Sequence, residues 1–257
     1  MYKNEQPGWL GRAKLHFESL PSTNDYLKQN AATLAHGTVV TADYQTAGKG
    51  RSGRAWQDNA KAGLALSVLL RPPSVHHTQL LPLVCALAVK SAVFSLYGVN
   101  SGIKWPNDLV LNQNKICGIL CEGVLLGQSV YAVCGIGINV LQQKTHFTRN
   151  GLEHATSLLA ETGIHHSLSE VAAGVMTELE RYYDHYIAQG IDALLGEYEA
   201  ACVTLGREVR VIQNATEREG RAVGLAQNGA LLVDFAGEVT EINAGEASVR
   251  GLYGYVT

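Results

Sequence analysis

Between residues 102 and 138 four short apolar runs follow one another, at 102–104, 108–111, 115–121 and 130–138, with Gly, Asn and Pro crowded between them. Strands joined by such short, punctuated connections favour an antiparallel or mixed sheet, because parallel neighbours need long crossovers. Upstream, 15–20, 39–45 and 63–71 read as further strands. Pro21, Ser22, Thr23, Asn24 and Asp25 form a turn with helix-starting residues, and Tyr26, Leu27, Ala31 and Leu34 suit one face of a short helix. A long helix fits 79–97, with Pro82 tolerated in its first turn, where a missing N–H is harmless. Two more helical stretches fit 169–189 and 191–201. The character changes near Val203. Short strands at 209–213, 221–226, 230–235, 239–242 and 248–251, separated by Gly and Asn, predict a small β-barrel. The expected fold is therefore α+β: a mixed or antiparallel sheet with flanking helices over residues 1–202, then a barrel over 203–257.

Composition narrows the function classes. Hydrophobic residues make up 46% and charged residues 17% of 257, enough apolar material for a sizeable core. A net charge of −3 and a pI near 6.3 argue against a generally basic nucleic-acid-binding protein. Five cysteines without a regular framework suggest reduced thiols and a cytoplasmic home. Cys117 and Cys121 are four apart, but no matching His/Cys pair follows, so they read as small buried strand residues rather than zinc ligands. The N-terminus has no apolar signal core, and no uninterrupted apolar run reaches membrane-spanning length.

Four segments carry chemistry. In Gly48-Lys49-Gly50-Arg51-Ser52-Gly53-Arg54, followed by Trp56, glycines alternate with cations. Glycine lets backbone N–H groups approach an anion, the cations balance charge, and Trp56 offers a flat surface for a planar ring. By itself the segment also suits a flexible basic surface loop. It lacks the P-loop spacing. Its Gly-x-Gly-x-x-Gly spacing is accidental, since the loop leads to a strand rather than a helix. Lys104-Trp105-Pro106-Asn107-Asp108 is a stiff turn presenting a cation, an amide and a carboxylate, or simply a strand connection with a packed tryptophan. Lys115 opens an apolar strand with Gly118 three residues on, which suits either a ligand lying against the sheet or a snorkelling lysine. Gly135-Ile136-Gly137-Ile138-Asn139 places glycines in a strand, a mark of close approach by a ligand or by another backbone.

Together these segments resemble the biotin protein ligases. Ser22-Thr23-Asn24, Tyr44-Gln45-x-Ala47-Gly48-x-Gly50-Arg51-x-Gly53-Arg54-x-Trp56, Lys104-Trp105-Pro106-Asn107-Asp108-Leu109, Lys115-x-x-Gly118-Ile119-Leu120-x-Glu122, Gly135-x-Gly137-Ile138-Asn139 and Ala155-Thr156-Ser157-Leu158 occur in the family's order. The resemblance implies a class II synthetase-like catalytic domain with an SH3-like barrel. It implies ATP-dependent formation of biotinyl-5′-AMP and transfer of biotin to a lysine of a biotin carboxyl carrier protein, such as that of acetyl-CoA carboxylase. Ser22, Thr23, Asn24, Gln45, Gly48, Lys49, Gly50, Arg51, Lys115 and Gly118 would then bind biotin. Arg54, Trp56, Lys104, Asn107 and Asn139 would serve ATP or the adenylate. Arg51, Lys104, Lys115 and Asp108 would be catalytic, with Asp108 also the candidate for Mg²⁺ or for lysine activation. Two positions depart from the family loop, which usually carries Arg at Lys49 and often at Ser52; lysine keeps the charge but loses the planar fork. Regulatory members carry an N-terminal helix-turn-helix domain. About a dozen residues precede the first strand here, so ligase activity is expected without DNA binding or repression, with no membrane partner, in a monomer or homodimer. Lipoate ligation and a biotin sensor that has lost catalysis are the rival readings.

Overall fold

The computed structural model describes residues 8–56, 61–213, 216–244 and 248–251. Gln57, the expected end of the Gly/Arg loop, lies outside the described residues, as does the chain after Gly251.

The first sheet has seven strands: β1 (Lys14–Phe17), β2 (Val39–Ala42), β3 (Gly63–Leu70), β4 (Gly102–Lys104), β5 (Asp108–Leu111), β6 (Asn114–Leu126) and β7 (Ser129–Asn139). They lie in the order β1-β2-β3-β7-β6-β5-β4. Only β1 and β2 pair in parallel, and α1 (Thr23–Gln29) lies between them in sequence. The short punctuated connections do produce antiparallel neighbours, and the sheet is mixed.

Helices α2 (Val75–Tyr97) and α5 (Leu168–Gln189) contribute to the main core that backs one face of this sheet. By length and composition α2 could cross a membrane, but its apolar side chains fill the protein core. It begins four residues before the expected start, so Pro82 sits inside the helix and not in its first turn. An interior proline forfeits a hydrogen bond and clashes with the preceding turn. Buried Leu80, Leu81, Leu83, Val84 and Leu87 around it hold the helical course by packing. Helix α5 starts cleanly because Ser167 and Glu170 form a reciprocal capping box. Short helices α3 (Lys144–Arg149) and α4 (Leu158–Thr162), and α6 (Asp192–Ala201), complete the order. On the opposite face, Leu27 and Ala31, in and just beyond α1, pack with Val40, Leu69, Tyr131 and Val133.

The C-terminal strands β8 (Glu208–Gln213), β9 (Thr216–Leu225), β10 (Leu231–Phe235), β11 (Glu238–Ile242) and β12 (Ser248–Gly251) form a second, antiparallel sheet in the order β11-β10-β9-β8-β12. The chain enters it alongside β4, where Cys202 bridges Ile103 and the Val203 N–H donates to the Ile103 carbonyl. Trp105 ties the two sheets together: its backbone N–H donates to Thr204 Oγ1 and its Nε1–H to the Gly229 carbonyl.

Candidate active site

One rung of the first sheet runs Ala42, Ala65, Gly137, Gly118, Asp108, Lys104 across six strands. The neighbouring rung on the same face runs Val40, Ser67, Gly135, Leu120. Small residues in the middle of both rungs leave a trough in a face that side chains would otherwise fill. A Cβ on Gly137 would lie 2.6 Å from the Trp56 indole, and one on Gly118 would lie 3.0 Å from both that indole and Lys115 Nζ. A Cβ on Gly135 would strike Asn24. The strand glycines therefore mark close approach by side chains rather than by another backbone: two of them seat the ring of Trp56 and the third makes room for Asn24. The trough opens into a cavity of about 530 Å³, within the range of small-molecule sites.

A polar network closes one end. Ser22 caps α1, its hydroxyl accepting from the Asp25 N–H. The Thr23 N–H and hydroxyl both donate to Gln45 Oε1. Ser67 Oγ lies 2.6 Å from both Thr23 Oγ1 and Asn24 Oδ1. The Asn24 amide donates to the Leu120 carbonyl and to Glu122, which also holds Lys28 at 2.6 Å. Asp25 joins Lys28 and Lys49. Desolvation alone would raise the Asp25 pKa, but the hydrogen bonds and charges of Lys49 and Lys28 prevail and hold it below the ordinary aspartate value.

The Gly/Arg loop is a tight hairpin. Gly50 N–H donates to the Arg54 carbonyl and Trp56 N–H to the Gly48 carbonyl, with a single 3-10 turn at Arg51–Gly53 and Gly53 at φ 73°. The side chain of Ser52 is not among those described. Arg51 donates to Asn107 Oδ1 at 2.8 Å and to the Ala244 carbonyl of the C-terminal part. Lys115 Nζ lies 2.8 Å from Asp108 and over the Trp56 ring. The Lys115 backbone is pinned between the His154 carbonyl and the Thr156 N–H.

The cavity lining includes Ser22, Thr23, Asn24, Gln45, Lys49, Gly50, Arg51, Arg54, Trp56, Lys104, Asn107, Asp108, Lys115 and Gly118. Gly48 lies just behind, against Trp56 and Gln45. Asn139 does not line it. Its amide donates to the Thr156 carbonyl, so it supports the segment that holds Lys115. Trp105 is packed and 2% exposed while its neighbours face the cavity, so both readings of that turn apply to it at once. Sequence reasoning passed over Ser67, Lys28, His154 and Val249 and gave Glu122 no role. Ser67 carried a signal, as the one hydroxyl in the apolar run of β3. Among the described lining residues five are Lys or Arg and one, Asp108, is a carboxylate. Such a site can accept a small ring in the trough and several negative charges at its mouth.

The profile of the Biotin/lipoate A/B protein ligase family matches residues 16–139, and that of the Biotin protein ligase C terminal domain matches 204–250. The chain is 33% identical to the biotin–[acetyl-CoA-carboxylase] ligase of Mycobacterium tuberculosis, covering 88% of this chain and 84% of that protein. The chain belongs to the biotin protein ligase family. It is also 32% identical to the bifunctional ligase/repressor BirA of Bacillus subtilis, over 88% of this chain and 70% of that protein. Among solved structures, the biotin protein ligase from Aquifex aeolicus in complex with biotin and ATP superposes with a TM-score of 0.81 at 30% identity, covering 93% of this chain and 99% of that one. The family's two profiles fall on the two sheets, and the cavity described above lies in the first, with Val249 of the second in its lining.

Proposed function

We propose that this cavity joins biotin to ATP and passes the biotinyl group to a lysine of a biotin carboxyl carrier protein, such as that of acetyl-CoA carboxylase. The observation that carries the reading is the small-residue trough with five cations and one carboxylate along its lining. The fused ring of biotin lies in the trough against the Ser22, Thr23, Asn24 and Gln45 end. Its carboxylate then points toward Lys115 and Arg51. Trp56 offers its face to the adenine ring, with Arg54, Lys104 and Asn107 near the phosphates and ribose.

In the first step a biotin carboxylate oxygen attacks the α-phosphorus and pyrophosphate leaves, giving biotinyl-5′-AMP. Positioned cations stabilise the charge that develops in a water-poor site. In the second step the acceptor lysine amine attacks the mixed anhydride, AMP leaves, and Asp108, which pairs with Lys115, takes the amine's proton. Mg²⁺ is expected as the counter-ion of the triphosphate. A magnesium site normally takes one or two carboxylates plus substrate phosphates, and Asp108, the one carboxylate lining the cavity among the described residues, is already paired with Lys115. One carboxylate suits an ion held mainly by the phosphates, with Asp108 the residue that would contribute to it, and no step is routed through the ion.

The catalytic part corresponds to residues 1–202 and the appended part to 203–257, a division supported by the profile boundaries and by the entry of the chain into the second sheet after Cys202. Five free thiols suit a cytoplasmic enzyme. Pyrophosphate release from ATP tests the choice of acid. Biotin supports release and lipoate does not; release with lipoate alone would contradict the reading.

A further inference from the structure

Behind the trough, on the core side of the same strands, three thiols meet. Cys121 of β6 and Cys134 of β7 are direct cross-strand partners, and Cys85 of α2 completes the group, with the three sulfur atoms within 4.8 Å of one another. Cys85 and Cys134 are buried, while Cys121 keeps partial exposure. Burial pushes the Cys121 thiol well above its ordinary pKa, whereas hydrogen bonds with Cys121 and Cys134 hold Cys85 below its own.

We propose that Cys85, Cys121 and Cys134 form a binding site for a trivalent thiophilic metalloid, with arsenite as its simplest ligand. The chemistry balances without an oxidant. As(OH)₃ exchanges three As–O bonds for three As–S bonds, each thiol proton leaves with a hydroxide as water, and arsenic stays trivalent. The product is neutral. Neutrality is what selects this ligand, because a net charge in an apolar core is strongly disfavoured. Three thiolates around a divalent ion would leave a net negative charge there, and zinc in structural sites takes four ligands where this cluster offers three. A disulfide between Cys121 and Cys134 would need an oxidant that nothing in the structure supplies. Local opening of the hairpin admits the ligand to the three thiols.

Occupation draws β6 and β7 together one residue away from Leu120 and Gly135. These residues support Asn24 on the trough side. Filling the site is therefore expected to weaken biotin binding, a coupling that rests on the biotin reading above.

The test is titration of the reduced full chain with arsenite, read by native mass spectrometry. The expected result is one arsenic per chain with three protons displaced. Binding is lost in Cys85→Ala, Cys121→Ala and Cys134→Ala and kept in Cys117→Ala and Cys202→Ala. Thermal melting without arsenite checks that each variant folds. If Cys85→Ala does not fold, the partly exposed Cys121→Ala carries the test. No bound arsenic, or arsenic retained in a folded Cys121→Ala or Cys134→Ala variant, overturns the site. Biotin affinity is then measured on the loaded wild-type chain, with a severalfold loss expected. Unchanged affinity with arsenic bound overturns the coupling and leaves the site standing. No biotin binding even without arsenite would instead count against the biotin reading.

Discussion

Ser67 shows how much of this site depends on one buried hydroxyl. It sits on the second rung of the trough, 2.6 Å from both Thr23 Oγ1 and Asn24 Oδ1. Glu122 and the Leu120 carbonyl take the amide protons of Asn24, which fixes the orientation of that amide. Removing the hydroxyl leaves buried polar atoms short of a partner, at about 1–3 kcal/mol. Ser67→Ala is expected to weaken biotin binding about tenfold, the equivalent of about 1.4 kcal/mol, with ATP affinity unchanged. Titration calorimetry with each ligand measures both. Equal losses for the two ligands would show that the variant damages the whole cavity rather than its ring end.

At the scale of elements, helix α5 owes its start to the Ser167 and Glu170 capping box. Ser167→Ala is expected to cost about 1 kcal/mol and to lower Tm by roughly 2–4 °C, read by calorimetry. The Glu170 half of the box responds to pH. The Ser167 backbone N–H, then its hydroxyl, holds the Glu170 carboxyl below its ordinary pKa. Its contribution is therefore complete above the ordinary glutamate range and fades as pH falls through the lowered value. Much of this element order was legible in the sequence. The bounds expected for β4 and β5 are those observed, because Gly, Pro and Asn punctuate both ends of each run. Helices α3 and α4 were not legible, since six and five residues are too short to show a period. The start of α2 was misjudged because Pro82 argued for a nearby N-terminus, while burial around the helix prevailed. The motifs placed most expected site residues along one cavity. They could not reveal that the Asn139 amide donates to the Thr156 carbonyl, because that contact depends on a chain reversal absent from the local pattern.

At the scale of the whole molecule, the two sheets behave as one body. The main core runs without a break from α2 and α5 to Val209, Val211, Leu231 and Val233 of the second sheet. Arg51 reaches from the ligand loop to Ala244, and Val249 of β12 lines the cavity. Trp105→Phe removes the Nε1–H that the Gly229 carbonyl accepts. The expected loss is about 1–3 kcal/mol in a single shared unfolding transition, seen by calorimetry. Two separate transitions, with only the later one unchanged, would contradict that unity.

The central claim is tested most directly by incubating the protein with biotin, ATP, Mg²⁺ and an apo biotin carboxyl carrier domain, and weighing the acceptor by mass spectrometry. The account predicts a mass gain of one biotin on a lysine, abolished in Arg51→Ala and Lys115→Ala variants that still fold. An acceptor that stays unmodified while a known ligase modifies it in parallel, or that is modified equally well by both variants, would contradict the account.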